Sequence, residues 1–168
     1  MPRKYFRKYL PDPETLRSSR WLAAFGGWAR HPNLWHLNRR SVSGAVAIGL
    51  FAGLVPGPLQ MLTALLFAVP LRKNVPVALL VTLYTNPFTI VPIYLVAYGY
   101  GRLLVGDGTP PPAVEMDWAS LVALGKPLAV GLVALGCTLA LLGYLVVQIA
   151  WRLWVIGAWR ARRRRRRA

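Results

Sequence analysis

The chain has 168 residues, 55% of them hydrophobic and only 15% charged, yet its formal net charge is +16. One domain fits that length, and the placement of the charges excludes a water-soluble exterior. Nine of the 21 Lys and Arg residues precede Ser41, eight lie from Arg152 onward, and only Arg72, Lys73, Arg102 and Lys126 fall between. Three windows, 41–71, 74–101 and 127–151, hold no charge at all. A soluble helix or strand that long shows charges on its solvent face. The pattern therefore predicts an all-α integral membrane protein with proline-broken or re-entrant helices, a C-terminal transmembrane helix and an N-terminal amphipathic helix.

Residues 1–40 form a basic, aromatic segment in which Asp12 and Pro13 can open a short helix. The stretch from Leu16 to Trp28 mixes Arg17 and Arg20 with Trp21, Leu22 and Phe25, the composition of a helix lying at a lipid surface. Trp28, Trp35 and Leu37 are expected at headgroup depth. The first apolar run begins too late in the chain for a secretory signal, so none is expected.

The membrane domain is expected over 41–151, and its first window poses a length problem. As one helix, 41–71 would be about 46 Å long against a hydrocarbon core of about 30 Å, while two full spans need about 40 residues. Pro56-Gly57-Pro58 divides it into halves too short to cross alone, which predicts a re-entrant hairpin or, alternatively, a tilted and kinked single span. The second broken helix, 74–105, is interrupted at Asn86-Pro87, with Thr85 and Thr89 beside the break. Two successive broken segments resemble the paired discontinuous helices of transporters.

A Pro/Gly-rich loop over 106–117 holds Asp107, Glu115 and Asp117, and 127–151 has the length of one conventional span. Gly136 and Ala140 offer small-residue spacing for a close helix approach, and Cys137 is expected to be a small buried residue. Residues 152–168 are read as an Arg-rich cytoplasmic tail. The positive-inside rule puts both basic ends in the cytoplasm and the acidic loop outside. With the first window as a hairpin, Arg72 and Lys73 are cytoplasmic, the second window crosses outward, and 127–151 returns.

The motifs LWHLNRRS (34–41), AIGLFAGLVPGPLQM (47–61), RKNVPVA (72–78), TNPFTIVPIY (85–94) and YGYGRLL (98–104) resemble those of the bacterial inner-membrane family called domain of unknown function 2062, over roughly residues 10–150. The resemblance implies an inner-membrane protein with no established catalytic residues. In some relatives the domain is joined to glycosyltransferases, which implies work near lipid-linked sugars. A looser likeness is to the DedA superfamily, whose members are linked to flipping polyprenyl-phosphate carriers. The likeness rests on PGP (56–58) and YGYGR (98–102), but Gln60 stands where that family carries an acid.

No catalytic constellation is legible. His31 and His36 do not share a helix face and lack further ligands for a metal. Gly99 and Gly101 lack the rest of a nucleotide fingerprint. No cofactor is expected. The arginine run suits anionic headgroups rather than specific nucleic acid, so Arg39, Arg40, Arg162, Arg163 and Arg164 are the expected lipid-headgroup residues.

The breaks are the candidate binding site, because a helix interrupted in hydrocarbon leaves backbone groups that must face protein or water. Half-helix N-termini after Pro58 and Pro87, together with nearby cations, would favour an anion. The candidate set is Pro56, Pro58, Gln60, Arg72, Asn74, Thr85, Asn86, Pro87, Thr89 and Arg102. The competing reading is that these groups only knit the breaks together. The expected function is transport or handling of an anionic ligand such as polyprenyl phosphate. The alternative is a non-catalytic scaffold for a glycosyltransferase or another envelope enzyme. A homo-oligomer would bury the polar breaks better.

Overall fold

The computed structural model describes residues 31–106 and 125–165, which form five α-helices and a short 3-10 turn, with no strand among the described residues. The expected amphipathic helix before residue 31 and the acidic loop from Asp107 lie outside the described residues, as do the side chains of Arg162, Arg163 and Arg164.

Helix α1 (Arg39–Ala52) starts at Asn38, whose Oδ1 accepts from Ser41 N at 2.7 Å. It ends where Gly53, Pro56 and Pro58 withdraw helical donors and side-chain restraint. The chain reverses through Gly57, whose φ of 65° lies in the left-handed region that glycine enters without strain. Helix α2 (Leu59–Ala68) then leads to a second reversal, where Arg72 takes a φ of 53°. Helix α3 (Val75–Thr82) is capped by the buried Asn74, whose side chain accepts from Val77 N at 3.0 Å. Asn74→Ala is expected to cost about 1–2 kcal/mol, read as a lowered unfolding midpoint of the full chain in detergent.

Helix α4 (Ile90–Val105) tolerates Pro92 because its first turn has no intrahelical donors to lose, and it ends at Gly106 with φ 76°. Helix α5 (Gly125–Arg165) runs unbroken for 41 residues. The segment read as a separate tail from Arg152 is thus helical through Arg165. It contains no proline, arginine is a good helix former, and cations near a helix C-terminus oppose its negative end.

Contacts fix the directions. Lys73 Nζ donates to Arg40 O at 3.4 Å, so the chain has returned to the start of α1 by the end of the first window. The window is a helical hairpin rather than one kinked rod. Gly44 meets Lys73, Gly49 meets Ala78 and Val81, and Gly53 meets Tyr84, so α3 runs parallel to α1. Gly136 meets Phe51, Gly143 meets Leu50, and Gln148 Nε2 donates to Ser43 Oγ at 3.2 Å, so α5 runs antiparallel to α1.

Farther along α5, Gly131 meets Ala97 and Pro127 meets Gly101, making α4 antiparallel to it as well. Helices α1 and α4 therefore occupy successive stretches of α5 and meet end to end, with α2 and α3 beside α1. Gly136 has its expected role, but the closest approach to α5 lies at Gly101 and Gly131.

One buried cluster joins Ala45 on α1, Leu65 and Ala68 on α2, and Val75 and Ala78 on α3, with Leu34 sealing its end. A second joins Tyr94, Ala97 and Tyr98 to Leu128. Trp35 and Leu37 are half-buried against the first cluster. Much of the remaining apolar surface is exposed, including Leu66, Val96, Leu103 and Leu141. Cys137 is exposed too, because its face of α5 turns away from both partner helices. Among the described residues, one helix, α5, is long and apolar enough to cross a membrane by length and composition, and only 11% of its most apolar stretch is buried.

Candidate functional site

The two proline breaks, about thirty residues apart in sequence, meet where α1 ends and α4 begins. Helix termini leave carbonyls without intrahelical partners, and every carbonyl from Gly49 to Leu54 can be accounted for here. Gly49, Phe51 and Ala52 accept from the backbone N–H groups of Gly53, Leu54 and Val55. The other three are met by hydroxyls from either side of the second break. Tyr84 Oη donates to Leu50 O at 2.7 Å, Thr85 Oγ1 to Gly53 O at 2.6 Å, and Tyr94 Oη to Leu54 O at 2.8 Å.

Gln60 closes the same junction, with its side-chain amide 2.9 Å from Thr85 Oγ1. A hydroxyl has one proton, and the shorter contact to Gly53 O claims it. The chemically consistent amide orientation therefore offers its NH₂ to the Thr85 oxygen.

The second break is tied to itself. Asn86 Oδ1 accepts from Phe88 N at 3.0 Å and Thr89 N at 3.1 Å. Thr89 Oγ1 accepts from Asn86 N at 3.0 Å and donates to Tyr84 O at 2.7 Å. This reciprocal pairing follows the logic of a capping box and starts α4 without a carboxylate. Among the described residues no buried side-chain polar atom lacks a partner.

The sequence-derived site residues separate into three places. Gln60, Thr85, Asn86 and Thr89 are at the junction, with Pro56 half-buried and Pro58 and Pro87 exposed around it. Arg72 and Asn74 sit at the α2–α3 turn, one α3 length or about 12 Å away. They share that end with Lys73, Arg39 and Arg40. Arg102 lies toward the far end of α4, its guanidinium carbon 5.8 Å from the centre of the Tyr98 ring. The expected gathering of Arg72, Lys73 and Arg102 around the breaks does not occur, because α3 and α4 carry them to opposite ends.

Among the described residues the junction is therefore a neutral knot of hydroxyls, amides and carbonyls, without an acid–base pair. No group of His, Cys, Asp or Glu among the described residues could hold a metal ion. Sequence reasoning overlooked Tyr84 and Tyr94, although a tyrosine in an apolar run carries a hydroxyl that needs a partner when buried. It also overlooked Gly53, where a Cβ would collide with the Tyr84 ring.

A family model described as "Uncharacterized protein conserved in bacteria (DUF2062)" matches residues 22–160. No curated protein and no solved structure matches the chain.

Proposed function

Since the chain belongs to the DUF2062 family over most of its length, we propose that it is a multi-pass inner-membrane protein that handles phosphate-bearing lipid and performs no chemistry of its own. In this reading α1 and α2 form a re-entrant hairpin entering from the cytoplasmic face. The unit of α3, break and α4 crosses outward, and α5 returns. At about 21 Å and 15 Å, α1 and α2 are each too short for a hydrocarbon core of about 30 Å, whereas residues 75–105 are long enough together.

The observation that carries the reading is the separation of charge from apolar surface. Leu66, Leu80, Val96, Val133 and Leu141 are exposed between the ends of the bundle. The cations of the described residues fall only toward those ends. Water would oppose so much exposed apolar area at about 25 cal/mol per Å², and lipid would not. The lipid ligand is supported by the sequence, which holds no Asp or Glu between Glu14 and Asp107. The saturated knot supports a structural task for the breaks, holding the hairpin tip at half depth. It also favours the second reading, a rigid scaffold for an envelope enzyme.

Lipids extracted with the detergent-purified full chain test the proposal by mass spectrometry. Severalfold enrichment of anionic phosphate lipids over the source membrane is expected. Bulk-like lipid together with a stoichiometric envelope enzyme would favour the scaffold instead.

A further inference from the structure

We infer that the base of the α1–α2–α3 unit is a headgroup site for an anionic phospholipid, built around Lys73. The inference rests on the membrane reading above and deepens it by giving the ligand a place. Lys73 is held rather than waving in solvent. Its stem lies across Gly44, where an added Cβ would come within 2.6 Å of Cδ and 2.7 Å of Cε. Its ammonium has three donors, and the Arg40 carbonyl at 3.4 Å takes one in a long contact.

Among the described residues the surroundings are all of one sign. Arg39 and Arg40 are exposed in the first turn of α1, with no acid in that turn. Cations are disfavoured there, because a helix N-terminus already carries partial positive charge. Arg72 is exposed at the adjoining turn, in the left-handed backbone conformation that non-glycine residues rarely adopt. Arg152 lies one turn of α5 beyond Gln148, which bonds Ser43, and so falls level with Arg39.

Residues 1–30 are themselves net basic, with seven Lys and Arg against Asp12 and Glu14. A cluster assembled from three parts of the chain, against both mutual repulsion and the α1 dipole, is complementary to a phosphodiester. The apolar flanks beside it suit acyl chains. Lys73 would meet the phosphate as a point charge, with Arg39 and Arg40 able to bind its oxygens in fork geometry.

The test uses the full chain in phosphatidylcholine nanodiscs containing a minor fraction of phosphatidylglycerol. Retained lipid is counted by native mass spectrometry. Wild type should retain phosphatidylglycerol preferentially, and Lys73→Gln should reduce that retention at least tenfold. The exposed pair Arg39→Gln and Arg40→Gln gives a second variant that leaves the core untouched and should show a comparable loss. Arg160→Gln, farther along α5, should change retention less than twofold.

Equal losses for Lys73→Gln and Arg160→Gln would reduce the site to diffuse surface attraction and overturn the inference. Displacement of the lipid by millimolar inorganic phosphate would assign the cluster to a soluble anion and overturn it too. If Lys73→Gln has no effect while wild type keeps its preference, only the site fails. If wild type shows no preference, the lipid-handling reading fails with it.

Discussion

Gly101→Ala is expected to destabilise the folded chain by about 3 kcal/mol, whereas Gly99→Ala, two residues away on the same helix, is expected to be neutral or to stabilise by up to about 1 kcal/mol. A Cβ at Gly101 would collide with the Pro127 carbonyl and lie 2.8 Å from Gly131 N. Both are backbone atoms, so no rotamer change can relieve the clash. The contact is reciprocal, since a Cβ at Gly131 would collide with the Ala97 carbonyl. Ala97 and Gly101 on α4 thus face Pro127 and Gly131 on α5, a small-residue crossing with a four-residue period on each helix.

Nothing lies within 4 Å of a Cβ at Gly99, where alanine brings only its better helix propensity. Thermal unfolding of the two variants in detergent reads the difference. Equal midpoints would mean that α4 and α5 do not approach this closely.

Removing a hydroxyl from the knot is the second large effect. Tyr94→Phe leaves the Leu54 carbonyl without its donor, and Thr85→Val does the same to Gly53 while also releasing Gln60. Both side chains are buried, so water cannot substitute cheaply, and each change is expected to cost about 1–3 kcal/mol. Thr85→Val should be the costlier, because two polar groups lose their partner. Tyr100→Phe supplies the comparison. Its hydroxyl is 3.4 Å from Thr138 Oγ1 at an exposed position, and its loss is expected to change stability by less than about 0.5 kcal/mol. If Tyr94→Phe and Tyr100→Phe have equal effects, the breaks are not held together by these hydroxyls.

The sequence made the hairpin legible because arithmetic sufficed. A proline-broken apolar window too long for one span and too short for two, bounded by basic residues, has few geometries open to it. The meeting of the two breaks was legible only as two similar features in succession. Which carbonyl each hydroxyl would find depended on α3 running parallel to α1, and no residue pattern within either helix states that.

The gathering of cations failed as an expectation for the same reason. Arg72 and Arg102 are equally polar on paper, but α3 and α4 extend in one direction from the α2–α3 turn and carry them apart. The continuation of α5 past Arg152 was not legible because the composition changes there while the helix does not. Cys137 was misjudged because burial of a residue in an apolar run depends on which face the neighbouring helices cover.

In the proposed topology residues 41–71 form a half-depth hairpin that returns Lys73 to the cytoplasmic face, and the accessibility of residue 73 decides whether they do. With Cys137 replaced, a single cysteine at Lys73 in the full chain, expressed in bacterial cells, is challenged with a membrane-impermeant thiol reagent. No labelling is expected in intact cells opened only at the outer membrane, and full labelling is expected once the cytoplasmic face is exposed. Labelling of that cysteine from the periplasmic side would mean that residues 41–71 cross the membrane and do not form a hairpin returning to the cytoplasmic face.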